Sequence, residues 1–343
     1  MIRMLEDLTG VDAKKIKLDD DKVLSLFSNT SALGIKPEDI GGCELGCLGI
    51  PEFGTDFVMQ MVKEAKPKSF SDLVRISGLS HGTDVWLNNA QDLIRDGICT
   101  LSTCICTRDD IMTFLINSGM EPSLSFKIME SVRKGKGLTP EMESAMLAAG
   151  IPEWYIKSCK TIKYMFPKAH AAAYVMMAFR IAYFKVYYPL AYYCAYFTIR
   201  ASAFNYELMC QGREHLEAVM ADYKRRFNTL SKKEQDTYKD MRIVQEMYAR
   251  GFSFVPIDIY KAKATKFQIV GDKLMPSLNS IDGMGETAAN AVEEAAKQGK
   301  FLSRDEFKTR CKVSSTLVDT MVRLGILDDL PQSNQMSLLD FLQ

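Results

Sequence analysis

Apolar residues recur every three or four positions through most of the chain, and the runs are broken at glycines, prolines and short polar clusters. This pattern predicts helices almost throughout. A helix, an acidic turn at 19–21 and a second helix fill residues 1–33, and a glycine-rich loop follows at 41–54. A helix at 55–66 stops before Pro67, and others are expected at 91–95, 108–117 and 123–132. Thr139 and Pro140 have the N-cap and first-turn chemistry that opens the next one. The stretch 157–200 is cut by Pro167 and Pro189 into three helical pieces, the middle one rich in alanine. Residues 206–250 are highly charged and helical, and Ser231 with Glu234 forms a capping box. Only at 267–270 and 273–275, around Gly271 and Asp272, does the pattern read as a small β-hairpin.

After the hairpin, Ile281, Gly283, Met284, Gly285, Ala288 and Val292 are spaced as a helix-hairpin-helix. Its Gly-x-Gly turn can present amide N–H groups at a helix start to a DNA phosphate, because glycine permits the tight turn and the helix dipole favours the anion. An αα-hairpin that only packs would have the same outline. Residues 303–330 read as a second, degenerate pair without the glycines. The expected fold class is therefore mainly α, a multi-helix domain followed by a small α+β module with a β-hairpin and tandem helix-hairpin-helix. Such hairpins grip the backbone, so sequence-specific recognition is not expected.

Composition adds limits. A chain of 343 residues, 47% hydrophobic and 25% charged, has room for two or three domains. Its 43 basic and 43 acidic residues cancel, so any argument for nucleic acid must rest on local charge. Nine cysteines without CxxC spacing and three histidines (His81, His170, His215) do not make a zinc pattern, and reduced thiols in a cytosolic protein are expected. The N-terminus has no apolar signal region and starts as if within a helix, which suggests a piece of something larger. Arg180 and Lys185 interrupt the apolar run, leaving only 186–199, too short for a bilayer.

Local charge is uneven. No acidic residue lies between Glu153 and Glu207, while Lys157, Lys160, Lys163, Lys168, Arg180, Lys185 and Arg200 are interleaved with tyrosines. One reading is a buried aromatic helix pair with snorkelling cations; the other is a phosphate-facing surface with aromatic planes for bases. Helical spacing puts Lys185 on the side of His170 and Tyr174 and turns Arg180 away from Lys168, so the charges make no single stripe. The loop Arg133, Lys134, Gly135, Lys136, Gly137 would enlarge the same anion surface. The turn Ser80, His81, Gly82, Thr83 could cradle a phosphate or a base, or be structural only. Asp19 and Asp21 form a D-x-D of the sort that holds metal, but in a polar run that reads as a solvated turn. The tail with Gln335, Met336, Leu338, Leu339 and Phe341 reads as a peptide for a partner's hydrophobic groove.

Taken together, RISGLSHGTDVW (75–86), RDDIMTFLI (108–116), KIMESVRKGKGLTPE (127–141), IKYMFPKAHAAAYVMMAFRIAYFK (162–185) and SIDGMG (280–285) closely resemble the C-terminal portion of the PolC type of bacterial replicative DNA polymerase III alpha subunit. The resemblance covers essentially the whole chain. It implies fingers at 1–205, a helical connector at 206–250, a duplex-binding domain at 251–330 and a sliding-clamp tail at 331–343. It implies nucleotide or template contact for Ser80, His81, Gly82, Thr83, Lys163, Lys168 and His170. DNA contact falls to Gly283, Met284 and Gly285, with Arg133, Lys134 and Lys136, and clamp contact to the tail residues. There Met336 and Leu339 replace the family's leucine and aromatic.

The implied activity is nucleotidyl transfer from a dNTP to primer DNA with two Mg²⁺ ions, in the cytoplasm. The metal-binding palm aspartates are expected to lie upstream of Met1, so no catalytic residue is assigned here. The alternative is a non-catalytic DNA-binding adaptor that joins the hairpin module to a clamp.

Overall fold

The computed structural model describes residues 1–333. Among them are seventeen α-helices and one two-stranded antiparallel sheet. No described helix is long and apolar enough to cross a membrane. The described residues form two compact units, one of Asp12–Leu33 with Glu44–Val186, the other of Met1–Val11, Gly34–Cys43 and 187–333.

In the first unit the helices start where the polar residues predict. Thr55 caps Asp56–Ala65 through Val58 N, and Ser69 caps Phe70–His81 through Asp72 N. At the start of Arg108–Asn117, Thr107 N donates to Asp110 Oδ2 at 2.8 Å, and Thr139 caps Pro140–Ala148 ahead of Pro140. The antiparallel pair Arg108–Asn117 and Pro122–Arg133 buries Ile111, Leu115, Ile128 and Val132. The acid-free stretch resolves into Glu153–Thr161, Lys168–Tyr187 and Pro189–Ile199, as the prolines require. The expected pair of N-terminal helices is reduced. Beside the eight residues of Ile2–Thr9 there is only the short Asp21–Ser25, which Asp20 caps and a polar run soon ends.

Lys185 corrects the helical-wheel reading. It shares a face with His170 and Tyr174, which are exposed, yet is itself fully buried. The C-terminal half of that face lies under the glycine-rich loop, and Lys185 Nζ donates to the carbonyls of Gly46 (2.8 Å) and Leu48 (2.6 Å). The lysine thus donates to two carbonyls of the buried loop. Gly46 is required there, since a Cβ would come within 2.7 Å of Leu26 Cδ2.

In the second unit Ile2–Thr9 packs on Pro189–Ile199, and Arg213–Arg225 lies against Lys232–Ala249, whose Ser231–Glu234 capping box is formed in full. The buried Tyr193 hydroxyl donates to Glu246 Oε1 at 2.6 Å and accepts from Arg250 at 3.2 Å. The strands Gln268–Val270 and Lys273–Met275 pair with Val270 opposite Lys273, turning through Gly271. The helices Glu286–Lys297, Arg304–Cys311 and Ser315–Arg323 then close around Ile281, Val292, Phe307 and Met321.

Candidate nucleic-acid interface

The segment 162–167, between two helices of the acid-free stretch, is held by three others. Thr83 N donates to Tyr164 O at 2.9 Å and Lys163 N to Thr83 O at 3.0 Å, an isolated antiparallel bridge. Arg108 N donates to Phe166 O at 3.1 Å, and Asp109 Oδ2 accepts from Lys168 N at 2.6 Å, capping the long helix. Two glycines allow the close approach. A Cβ on Gly82 would meet Val85 Cγ2 at 2.3 Å and Tyr164 O at 2.8 Å; one on Gly135 would meet Lys163 O at 2.4 Å. The motifs 80–83, 107–110, 133–137 and 162–168, distant in sequence, thus become one edge of this unit.

That edge carries exposed cations and rings. Lys136, Lys163, Lys168 and His170 are exposed and form no ion pair among the described residues. Tyr164, Phe166, His170 and Tyr174 follow one another in ring contact, with Phe166 stacked on His170 at 5.0 Å and His170 against Tyr174 at 4.5 Å. Tyr164 and Tyr174 are 44% and 41% exposed, so planar faces are open to solvent beside the lysines.

His81 is oriented from both sides. Its Nδ1 lies 2.7 Å from Ser77 O and 3.1 Å from Ser80 Oγ, and its Nε2 lies 2.6 Å from Glu52 Oε2. A carbonyl only accepts, so Nδ1 carries the hydrogen and Nε2 faces the carboxylate. The ring also meets Phe166 edge-on at 5.6 Å. The Glu52 partnership joins positions 29 residues apart and had no signal in the sequence.

Glu130 is the second unforeseen residue. Arg133 binds it in a fork at 2.8 and 2.9 Å, Lys134 lies at 3.1 Å and Arg108 at 3.9 Å. The Arg133 and Lys134 hydrogen bonds hold its carboxyl at about 2. Its i+3 and i+4 spacing from those two residues was the available signal. Arg133 and Lys134 thus spend charge on Glu130, and Lys136 is the loop cation left open. Lys160 is likewise tied to Glu143 at 2.6 Å.

In the second unit, Gly283 takes φ +83° and is exposed, as is Gly285 at the N-cap of Glu286–Lys297. Neither glycine amide, nor that of Glu286, has a hydrogen-bond acceptor among the described residues. Met284 points inward, 3% exposed, and its N–H donates to Ile281 O at 3.0 Å. It anchors the turn while the glycines on either side face out. Asp282 is paired with Lys233 at 3.4 Å. In the companion hairpin, Lys312 (φ +54°) occupies the left-handed position, and no Gly-x-Gly is present.

Among the described residues no group of three or more His, Cys, Asp or Glu could hold a metal ion, and Asp19 and Asp21 are exposed. Gln335, Met336, Leu338, Leu339 and Phe341 lie outside the described residues.

Residues 1–153 match the bacterial DNA polymerase III alpha subunit finger domain, and residues 251–337 match a helix-hairpin-helix motif. Over 338 residues the chain is 54% identical to the DNA polymerase III PolC-type of Caldanaerobacter subterraneus subsp. tengcongensis, covering 98% of this chain and 24% of that protein. Against the PolC-type enzymes of Clostridium perfringens and Bacillus subtilis identity is 52% and 54%, again over 98% of this chain, with 23% and 24% of those proteins covered. The chain thus spans about a quarter of the length of the curated relatives it matches. Over nearly all of its own residues, then, it belongs with the PolC-type DNA polymerase III sequences, as a portion containing a finger domain and a helix-hairpin-helix.

Proposed function

We propose that this chain is the part of a DNA-directed DNA polymerase that receives the incoming dNTP and template on its fingers and grips primer duplex with its helix-hairpin-helix, in the cytoplasm. The observation that carries the reading is the edge at 162–170, where unpaired Lys163 and Lys168 stand beside exposed rings, the backbone of Lys163 held by Thr83 and that of Lys168 by Asp109. Lysines there would neutralise triphosphate charge and orient it, an electrostatic contribution to phosphoryl transfer, while the rings offer planes to bases. The exposed glycine amides suit a backbone phosphate, and the tail at 335–341 would tether the enzyme to a sliding clamp. Mg²⁺ would be held by other parts of the polymerase.

Steady-state incorporation by the intact polymerase is the test. Lys163→Ala with Lys168→Ala should raise KM for dNTP at least tenfold, because a charge-assisted phosphate contact contributes about 1.5–3 kcal/mol. Unchanged nucleotide use would refute the assignment.

A further inference from the structure

The helices Arg213–Arg225 and Lys232–Ala249 meet at a tip whose residues 223–233 contain five cations, Lys224, Arg225, Arg226, Lys232 and Lys233, and no acid. The five do not share one task. Arg226 braces the tip from within: its guanidinium binds Asp222 at 2.7 Å on the first helix and Glu234 at 3.1 Å on the second, and lies 4.8 Å from the centroid of the Tyr223 ring. The other four stand outward. Lys224 is exposed and forms no ion pair among the described residues. Arg225 and Lys232 each meet one carboxylate, Asp222 and Asp236, with their own side chains 80% and 75% exposed, and ion pairs so open to water hold weakly.

Lys233 links the tip to the glycine hairpin of the same unit. Its Nζ lies 3.4 Å from Asp282 Oδ1, and Asp282 immediately precedes Gly283. A lone carboxylate there would repel the phosphate that the exposed amides of Gly283 and Gly285 suit. Of the turn's two acids, Asp282 and Glu286, the one next to Gly283 is thus neutralised by the tip.

Resting on the hairpin's role as a backbone grip, we propose that the tip at 223–233 is a further phosphate-binding surface for the same duplex. Lys224, Arg225 and Lys232 take phosphates beside the one held by the glycine amides, and Lys233 shields the hairpin from Asp282. Long cationic side chains on a braced tip contact a backbone by charge and leave base edges unread, as the hairpin does. Continuity with amides that have no acceptor among the described residues favours a nucleic-acid backbone over an acidic protein surface.

Binding of primer duplex by the intact polymerase, followed by fluorescence anisotropy between about 50 and 200 mM salt, tests this. Lys224→Ala with Lys232→Ala should remove two phosphate contacts, lowering the slope of log affinity against log salt by about 1.8 and the low-salt affinity about tenfold. Lys224→Arg with Lys232→Arg should bind as wild type, and a loss equal to that of the alanine pair would overturn the proposal, because charge would not be its cause. Lys233→Ala should weaken binding, and adding Asp282→Asn should recover most of the loss; no recovery overturns the part assigned to Lys233. Gly283→Asp with Gly285→Asp examines the hairpin separately. If that pair weakens binding while the alanine pair keeps the wild-type slope and affinity, the hairpin grip stands and the tip surface falls. If the glycine pair binds normally, the grip itself falls, and the shared surface with it.

Discussion

Gly135 and Gly137 share a backbone conformation, φ +72° and +71°, and differ in what lies beside them. A Cβ at Gly137 meets nothing within 4 Å; at Gly135 it meets Lys163 O at 2.4 Å. Gly137→Ala should therefore cost only the left-handed penalty, about 1 kcal/mol, whereas Gly135→Ala adds a backbone clash for about 2–4 kcal/mol in all. Urea denaturation of the two variants separates the terms, and equal losses would show that the clasp is not rigid. Acidic residues make a second contrast. Glu130 is held near 2, below its ordinary 4.5, so what it contributes is complete above pH 4.5 and lost as pH falls toward 2. Asp240 goes the other way, raised by burial from 3.8 to about 6 although Ala203 N donates to it at 2.8 Å. The folded chain binds that proton more tightly than the unfolded chain, so stability should decline as pH rises from about 4 to about 6, by up to about 3 kcal/mol. Asp240→Asn should flatten that slope in denaturation measured at several pH values. A slope equal to wild type would assign it elsewhere.

Helix by helix, the sequence was most legible where a local rule was enough. Caps at Thr139 and Ser231, breaks at Pro167 and Pro189, and the turn at Gly271 all concern residues within four positions of one another, and each stands where the spacing placed it. What was not legible depends on distance. Nothing near Lys185 announces that a loop some 137 positions earlier will cover it, and a wheel can give a residue's direction but not what lies along it. The same holds for Glu52 against His81 and for the bridge between Thr83 and Tyr164. At 86–90 the backbone makes a wide turn with Asn88 at φ +57°, which the approach to Gln91–Arg95 did not suggest. Lys185 also yields a prediction about its helix. Lys185→Met keeps the length and removes the donor, leaving the Gly46 and Leu48 carbonyls buried without it, at about 2–4 kcal/mol. Thermal unfolding measures the loss, and a neutral or stabilising result would mean that water replaces the ammonium.

For the molecule as a whole, the two candidate grips should fail separately because they would meet different chemical groups of the nucleic-acid complex. In the proposed reading the lysine edge would meet a triphosphate and a base, its cations acting through charge and its rings through stacking. The hairpin offers backbone amides at a helix start, donors that any duplex phosphate can use whatever its sequence. Gly283→Asp with Gly285→Asp should mask those amides with negative charge and also force a side chain onto φ +83° at position 283. In the intact polymerase this pair should weaken duplex affinity tenfold or more and flatten its salt dependence, with KM for dNTP nearly unchanged at saturating primer. Lys163→Ala with Lys168→Ala should do the reverse. Combining all four changes should then give losses that add in free energy, since neither set removes a partner of the other. A salt titration of duplex binding and a dNTP titration on the three variants decide the matter. Normal duplex binding after the glycine changes would leave the hairpin as a packing element, and losses that do not add would join the two grips in a single step.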